Sequence, residues 1–153
     1  MSDVMPWLTA FVGGLIGSAL SLWAAKRQIF ASVVSASRQN WINALRDAIS
    51  EFQAIATGIT IHRILEQKSE KTLAVEIQQM SQLRYKIELL LNPSEVDHQQ
   101  LIEHIKTLLT VTMGLTHAND DKQREAFAKT NKQLTKQAQA ILKREWNVVK
   151  KGK

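Results

Sequence analysis

Residues 4–27 read VMPWLTAFVGGLIGSALSLWAAKR, and this stretch decides the architecture. No charged side chain occurs between residues 4 and 25, and a helix of these 22 residues would be about 33 Å long at ~1.5 Å per residue, roughly the hydrocarbon thickness of a bilayer. Trp7 and Trp23 stand near its two ends, where aromatic rings favour the membrane interfaces, and Lys26-Arg27 close it with charge. A cleaved signal peptide would want a basic start, a shorter apolar centre and small residues at the cut. This chain opens with Asp3, and Leu22-Trp23-Ala24 makes a poor cleavage signature. A buried helix of a soluble protein is the other reading, and the length and flanks argue against it. The pattern therefore predicts one transmembrane helix with a short external tail over residues 1–25 and a cytoplasmic region over 26–153. Every Lys and Arg lies at or after Lys26, which predicts an inner-membrane protein with its N-terminus outside and its C-terminus in the cytoplasm.

Within the run, Gly13 and Gly17 form a G-x-x-x-G pair, and Ala10, Gly14 and Ser18 form a second row of small residues beside it. Small side chains let helix backbones approach closely in lipid, where apolar bulk gives no advantage, so the rows predict a homo-oligomer packed through Ala10, Gly13, Gly14, Gly17 and Ser18. Thr9, Ser18 and Ser21 add hydroxyls that can bond across helices or line a passage, whereas Phe11, Leu15 and Leu22 suit lipid.

Beyond Lys26, apolar residues recur at Phe30, Val34, Trp41, Leu45, Ile49, Phe52, Ala56 and Ile59, mostly at steps of three and four, with no proline before Pro93. This predicts one long amphipathic helix running out of the membrane to about Gln67, with Gly58 as a weak point or a place of close packing. A second helix carries Leu73, Ile77, Met80, Leu83, Ile87, Leu90 and Leu91 and stops at Asn92-Pro93. Ser94, with Asp97 three residues on, reads as the cap of a third helix that buries Val96, Leu101, Ile105, Leu108, Leu109 and Leu115. Asn119-Asp120-Asp121 starts a fourth, carrying Phe127, Leu134, Ala138, Ile141, Leu142, Trp146 and Val149. The fold class is all-α: a transmembrane helix continuing into a cytoplasmic antiparallel bundle of about four helices, whose C-terminus returns toward the bilayer.

Charge and composition narrow the chemistry. The chain has no cysteine, which excludes disulfides and thiolate chemistry. From Asp120 onward ten basic residues face four acidic ones, and Lys143, Arg144, Lys150, Lys151 and Lys153 form a basic end expected to join Lys26 and Arg27 at the anionic inner leaflet. A ring of such cations could instead bind RNA, a nucleotide messenger or another polyanion, but the aromatic residues fall mostly on core positions and offer no stacking platform. No P-loop, G-x-G-x-x-G, H-E-x-x-H or G-x-S-x-G occurs. His98 and His104 are six apart and point away from one another on a helix, so no metal, cofactor or catalytic residue is expected. Glu95, Asp97 and His98 gather at a helix start, where capping and compensation of the helix dipole account for the carboxylates. Arg38 and Gln39 stand where an assembly would have its vestibule, or where they could pair with acids of a neighbouring helix such as Glu145.

The strings RQNWINALR at 38–46, KIELLLNPSEVDH at 86–98 and ILKREW at 141–146 resemble a family of small, uncharacterised bacterial membrane proteins with one span. That likeness implies a bacterial origin and a shared architecture, and brings no activity with it. The architecture is also similar to the accessory membrane protein of one class of RNA-targeting CRISPR nuclease, a likeness that implies an oligomeric pore used in anti-phage defence. The arginine–histidine motif of that protein's helical bundle has no counterpart here, since no Arg is followed by a His after four to six residues. The expected function is a homo-oligomeric, gated pore, not an enzyme, opened by a protein or nucleotide trigger; the alternative is a non-conducting, membrane-tethered adaptor that recruits a soluble partner through its bundle.

Overall fold

The computed structural model describes the backbone of residues 5–65, 69–114 and 121–151, and the side chains of these residues from 21 onward apart from Ala24 and Ala31. Among them are four helices and no strand: α1 (Met5–Leu65), α2 (Glu70–Leu90), α3 (Val96–Gly114) and α4 (Asp121–Lys150). The all-α class and the four-helix order follow the sequence pattern. Among the described residues no helix is long and apolar enough to cross a membrane. Most of the uncharged run, and the side chains of Ala10, Gly13, Gly14, Gly17 and Ser18 with it, lie outside the described residues.

The core is built from one stripe per helix. α1 buries Ile42, Leu45, Ile49, Phe52, Ala56 and Ile59, recurring at steps of three and four, against Leu73, Met80, Leu83 and Ile87 of α2. Leu101, Ile105, Leu108 and Leu109 of α3 and Phe127, Leu134, Ala138 and Ile141 of α4 close the other side. Each buried Leu, Ile, Phe or Met among them contributes about 1.5–3 kcal/mol by leaving water. Polar ties set the register. Gln53 Nε2 donates to Asn131 Oδ1 at 2.6 Å and Thr135 Oγ1 at 2.9 Å between α1 and α4. At the far end, Arg63 Nη1 donates to the Met113 carbonyl at 2.7 Å, placing a cation on the carbonyl-rich C-terminus of α3. α2 and α4 run antiparallel to α1, and α3 runs parallel to it across the bundle.

Several expectations are corrected. Phe30 belongs to no core: it is 70% exposed, because α2 ends at Leu90, level with Trp41, and α4 ends short of it. Val96 and Trp146 are exposed rather than buried. Ser94 does not cap α3. Its N–H (3.1 Å) and hydroxyl (2.8 Å) both donate to Asn92 Oδ1, an Asx turn across Pro93, and the Glu95 carbonyl accepts the first helical bond, from Gln99 N–H. Ser69, not singled out by pattern, caps α2 by accepting the Thr72 N–H. Gly58 has nothing within 4 Å of the place a Cβ would take, so it is not a close-packing site.

Gly58→Ala should therefore raise the stability of the full chain in mild detergent by about 0.5–1 kcal/mol through helix propensity alone, read as a higher denaturation midpoint. An unchanged or lowered midpoint would contradict the open space.

Candidate functional site

Where α1 leaves the bundle, five elements of sequence meet. Trp41 Nε1 donates to the Leu90 carbonyl at 2.6 Å, which gives a partner to both a half-buried indole and an orphan carbonyl at the end of α2. His98, buried on the first turn of α3, accepts the Asn92 N–H on Nδ1 at 3.0 Å. That bond places the ring's proton on Nε2, which lies 3.8 Å from Glu95 Oε2. The Trp41 and His98 rings are 6.2 Å apart, so α1, the α2–α3 turn and α3 are locked together at one point.

Arg144 of α4 completes the cluster. Its Nη2 reaches Glu95 Oε2 at 2.6 Å, its Nη1 reaches Asp97 Oδ2 at 2.5 Å, and its Nε reaches Glu145 Oε1 at 2.9 Å. Arg38 Nε lies 3.9 Å from the other oxygen of Glu145, so α1, α3 and α4 share one network. The pKa of Arg144 is raised from its ordinary value: partial burial opposes the charged form, and the Glu145 hydrogen bond with the charges of Asp97, Glu145 and Glu95 outweighs it. Above the cluster opens a groove of about 570 Å³ with Val33, Val34, Trp41 and Leu90 on its apolar side and Arg38, Asn92, Glu95, His98 and Glu145 on its polar side.

One ligand atom each from Glu95, Asp97 and His98 fall within 4.8 Å of one another, close enough for a metal ion. The guanidinium already bonds both carboxylates, and its Nη2 is 3.3 Å from His98 Nε2. A divalent ion would have to displace Arg144 and strip the proton from Nε2. The arrangement is a structural clasp.

No family model, curated protein or solved structure matches the chain.

The sequence-predicted sites fare unevenly. The Arg38–Glu145 pairing is present. Gln39 donates to Asn43 at 3.1 Å and borders a groove with Leu142 and Trp146 of α4, while Arg38 lines the groove above the cluster. Ser21, Lys26 and Arg27 are exposed, with Arg27 stacked 5.4 Å over Trp23. Arg144 is bonded to the carboxylates of Glu95, Asp97 and Glu145, with its side chain 42% exposed. Lys143, Lys150 and Lys151 are exposed, and Lys153 lies outside the described residues. With Glu145 level with Arg38, Lys150 comes level with about residue 33, which leaves it ~10 Å short of Lys26 at ~1.5 Å per residue. The clasp itself was invisible in sequence, because its partners are 46 to 49 positions apart. The one available signal was Trp41, whose indole needs a partner wherever it is half-buried.

Trp41→Phe should cost about 1–2 kcal/mol of stability, the cost of a removed donor and a stranded carbonyl. Arg144→Met should cost roughly 1 kcal/mol and couple non-additively to Asp97→Asn in a double-mutant cycle. Strict additivity would mean that the clasp contributes nothing.

Proposed function

We propose that the chain is a homo-oligomeric inner-membrane effector that crosses the bilayer once through its N-terminal run, N-terminus outside, and controls a passage between copies from its cytoplasmic bundle. The observation that carries this reading is the continuity of α1. One helix of 61 residues joins the uncharged run to the bundle core, with Gly58 as its only glycine beyond the run. A displacement of the bundle is thereby delivered to the run without a hinge. Lys26 and Arg27 sit at the boundary, where each cation near an anionic leaflet contributes on the order of 1 kcal/mol. Most side chains of the segment proposed to cross lie outside the described residues, so its support is the sequence: length, flanking Trp and charge, and the small-residue rows. The resemblance to pore-forming accessory proteins is what suggests anti-phage defence, with a protein or nucleotide trigger.

A second reading, a non-conducting adaptor, draws on Tyr85 and Leu89, one turn apart on α2 and 56% and 88% exposed. That pair would suit a partner protein better than water.

Full-length protein in vesicles of inner-membrane lipid should release a small trapped dye, and Gly13→Ile with Gly17→Ile should abolish both the oligomer in mild detergent and the release. Retention in the membrane with no release under any trigger, together with loss of partner capture in Leu89→Lys, would favour the adaptor. Unchanged oligomer size in the glycine variant would contradict the packing scheme.

A further inference from the structure

The seam between α1 and α4 holds a second groove, and its lining carries charge of one sign. A hollow of about 330 Å³ is lined by Gln39 and Arg46 of α1 and by Leu142, Lys143 and Trp146 of α4. Arg46 and Leu142 also line a further hollow of about 310 Å³, where Ser50 and Gln139 continue the polar wall. No carboxylate lines either one. Among the described residues Arg46 and Lys143 have no acidic partner, whereas Arg84, Arg124 and Arg144 each have one.

Asn43 arranges the donors. Its Oδ1 accepts from Gln39 Nε2 and from Arg46 Nη1, each at 3.1 Å, so one oxygen orients both side chains. The other guanidinium N–H groups are left for an anion, and Gln39 Oε1 is left as an acceptor for an exocyclic amino group. Trp146 stands 39% exposed on the same wall, with Lys150 Nζ 5.5 Å from its ring centroid. The wider field has the same sign. At ~100° per residue, Lys129, Lys132, Lys136, Lys143 and Lys150 fall within about 60° of one another on α4, and all are exposed. Beyond Glu125 the only acid of α4 is Glu145, which is held by Arg38 and Arg144. Asp47 and Glu51 are exposed on α1 and line neither hollow.

We infer that this seam binds a nucleotide, with its phosphate on Arg46 and Lys143 and its base against Trp146. Cations with unfilled N–H donors favour phosphate oxygens, and an indole beside them offers a flat surface that an acidic peptide or bare phosphate would leave uncovered. The hollow stands at the small end of the ~300–1,000 Å³ typical of ligand pockets, which suits one nucleotide better than a folded nucleic acid. A lipid headgroup is the other source of phosphate. In the membrane reading Arg46 lies roughly 30 Å along α1 from Arg27 at ~1.5 Å per residue, too far from the bilayer for a headgroup to reach. Binding stands on the geometry of the seam alone, and its effect on a passage rests on the effector reading above. A ligand bridging α1 and α4 bears on Glu145, the neighbour of Trp146, and so on its pairing with Arg38.

The test titrates full-length protein in mild detergent by calorimetry with ATP, pyrophosphate, short-chain phosphatidylglycerol and a short single-stranded RNA. ATP should bind saturably, pyrophosphate more weakly, and the lipid should not displace ATP. Arg46→Gln should weaken ATP and pyrophosphate alike, at least tenfold, whereas Trp146→Ala should weaken ATP several-fold and leave pyrophosphate unchanged. Lys143→Gln reads the same phosphate contact should Arg46→Gln lose helicity. No saturable ATP binding by folded protein, ATP affinity indifferent to both cation variants, or equal binding of ATP and pyrophosphate would overturn the inference. Displacement by the lipid would overturn it in favour of a headgroup, and tighter binding of the RNA, weakened by Lys129→Gln with Lys132→Gln, in favour of a strand. Because these titrations need no membrane, ATP binding without dye release from vesicles would count against the effector reading alone.

Discussion

A mismatch of helix lengths is the constraint on which the rest of the structure depends. α1 has 61 residues, about 90 Å at ~1.5 Å per residue, while α2, α3 and α4 have 21, 19 and 30. The three shorter helices accompany α1 only from about residue 33 onward, where α4 ends, and above that point Leu22, Trp23, Ile29 and Phe30 stand exposed among the described residues. An exposed apolar arm is thus a geometric consequence of the fold.

The clasp at the foot of the arm follows from the same constraint. A helix that leaves its bundle exposes the bundle's end, with the last carbonyls of α2 and the first N–H groups of α3 in need of partners. Trp41 answers the first; Asp97 Oδ1 accepts the His98 N–H at the second, while His98 Nδ1 accepts the Asn92 N–H of the turn, leaving the carboxylates of Glu95 and Asp97 close together. Arg144 balances those carboxylates and draws α4 onto the same point, while Arg38 extends the network back to α1 through Glu145. Because this network joins three helices where the rod emerges, motion of α4 is coupled to the base of the arm.

The helices and most of the core were legible in the sequence because helical periodicity and Asn92-Pro93 are local signals. Leu45, Ile49, Phe52 and Ile59 of α1, Leu73, Met80, Leu83 and Ile87 of α2, and Leu101, Ile105, Leu108 and Leu109 of α3 lie where spacing puts them. What spacing could not tell was where along α1 the core begins, since Phe30 and Phe52 sit on equally apolar stretches and differ only in whether another helix reaches them. For the same reason Arg144 read as a surface cation. Its contacts with Glu95 and Asp97 depend on tertiary register, which no short pattern carries. Arg38 and Glu145 were matched from topology alone, the one long-range pair that antiparallel order brings within reach.

The account turns on the N-terminal run being covered by lipid and by other copies, and sedimentation of the purified full-length chain in buffer without detergent tests this most directly. The chain should be insoluble or heavily associated until vesicles or detergent are supplied, then recover as a defined oligomer. A monodisperse single-chain particle in plain buffer, indifferent to added vesicles, would contradict it.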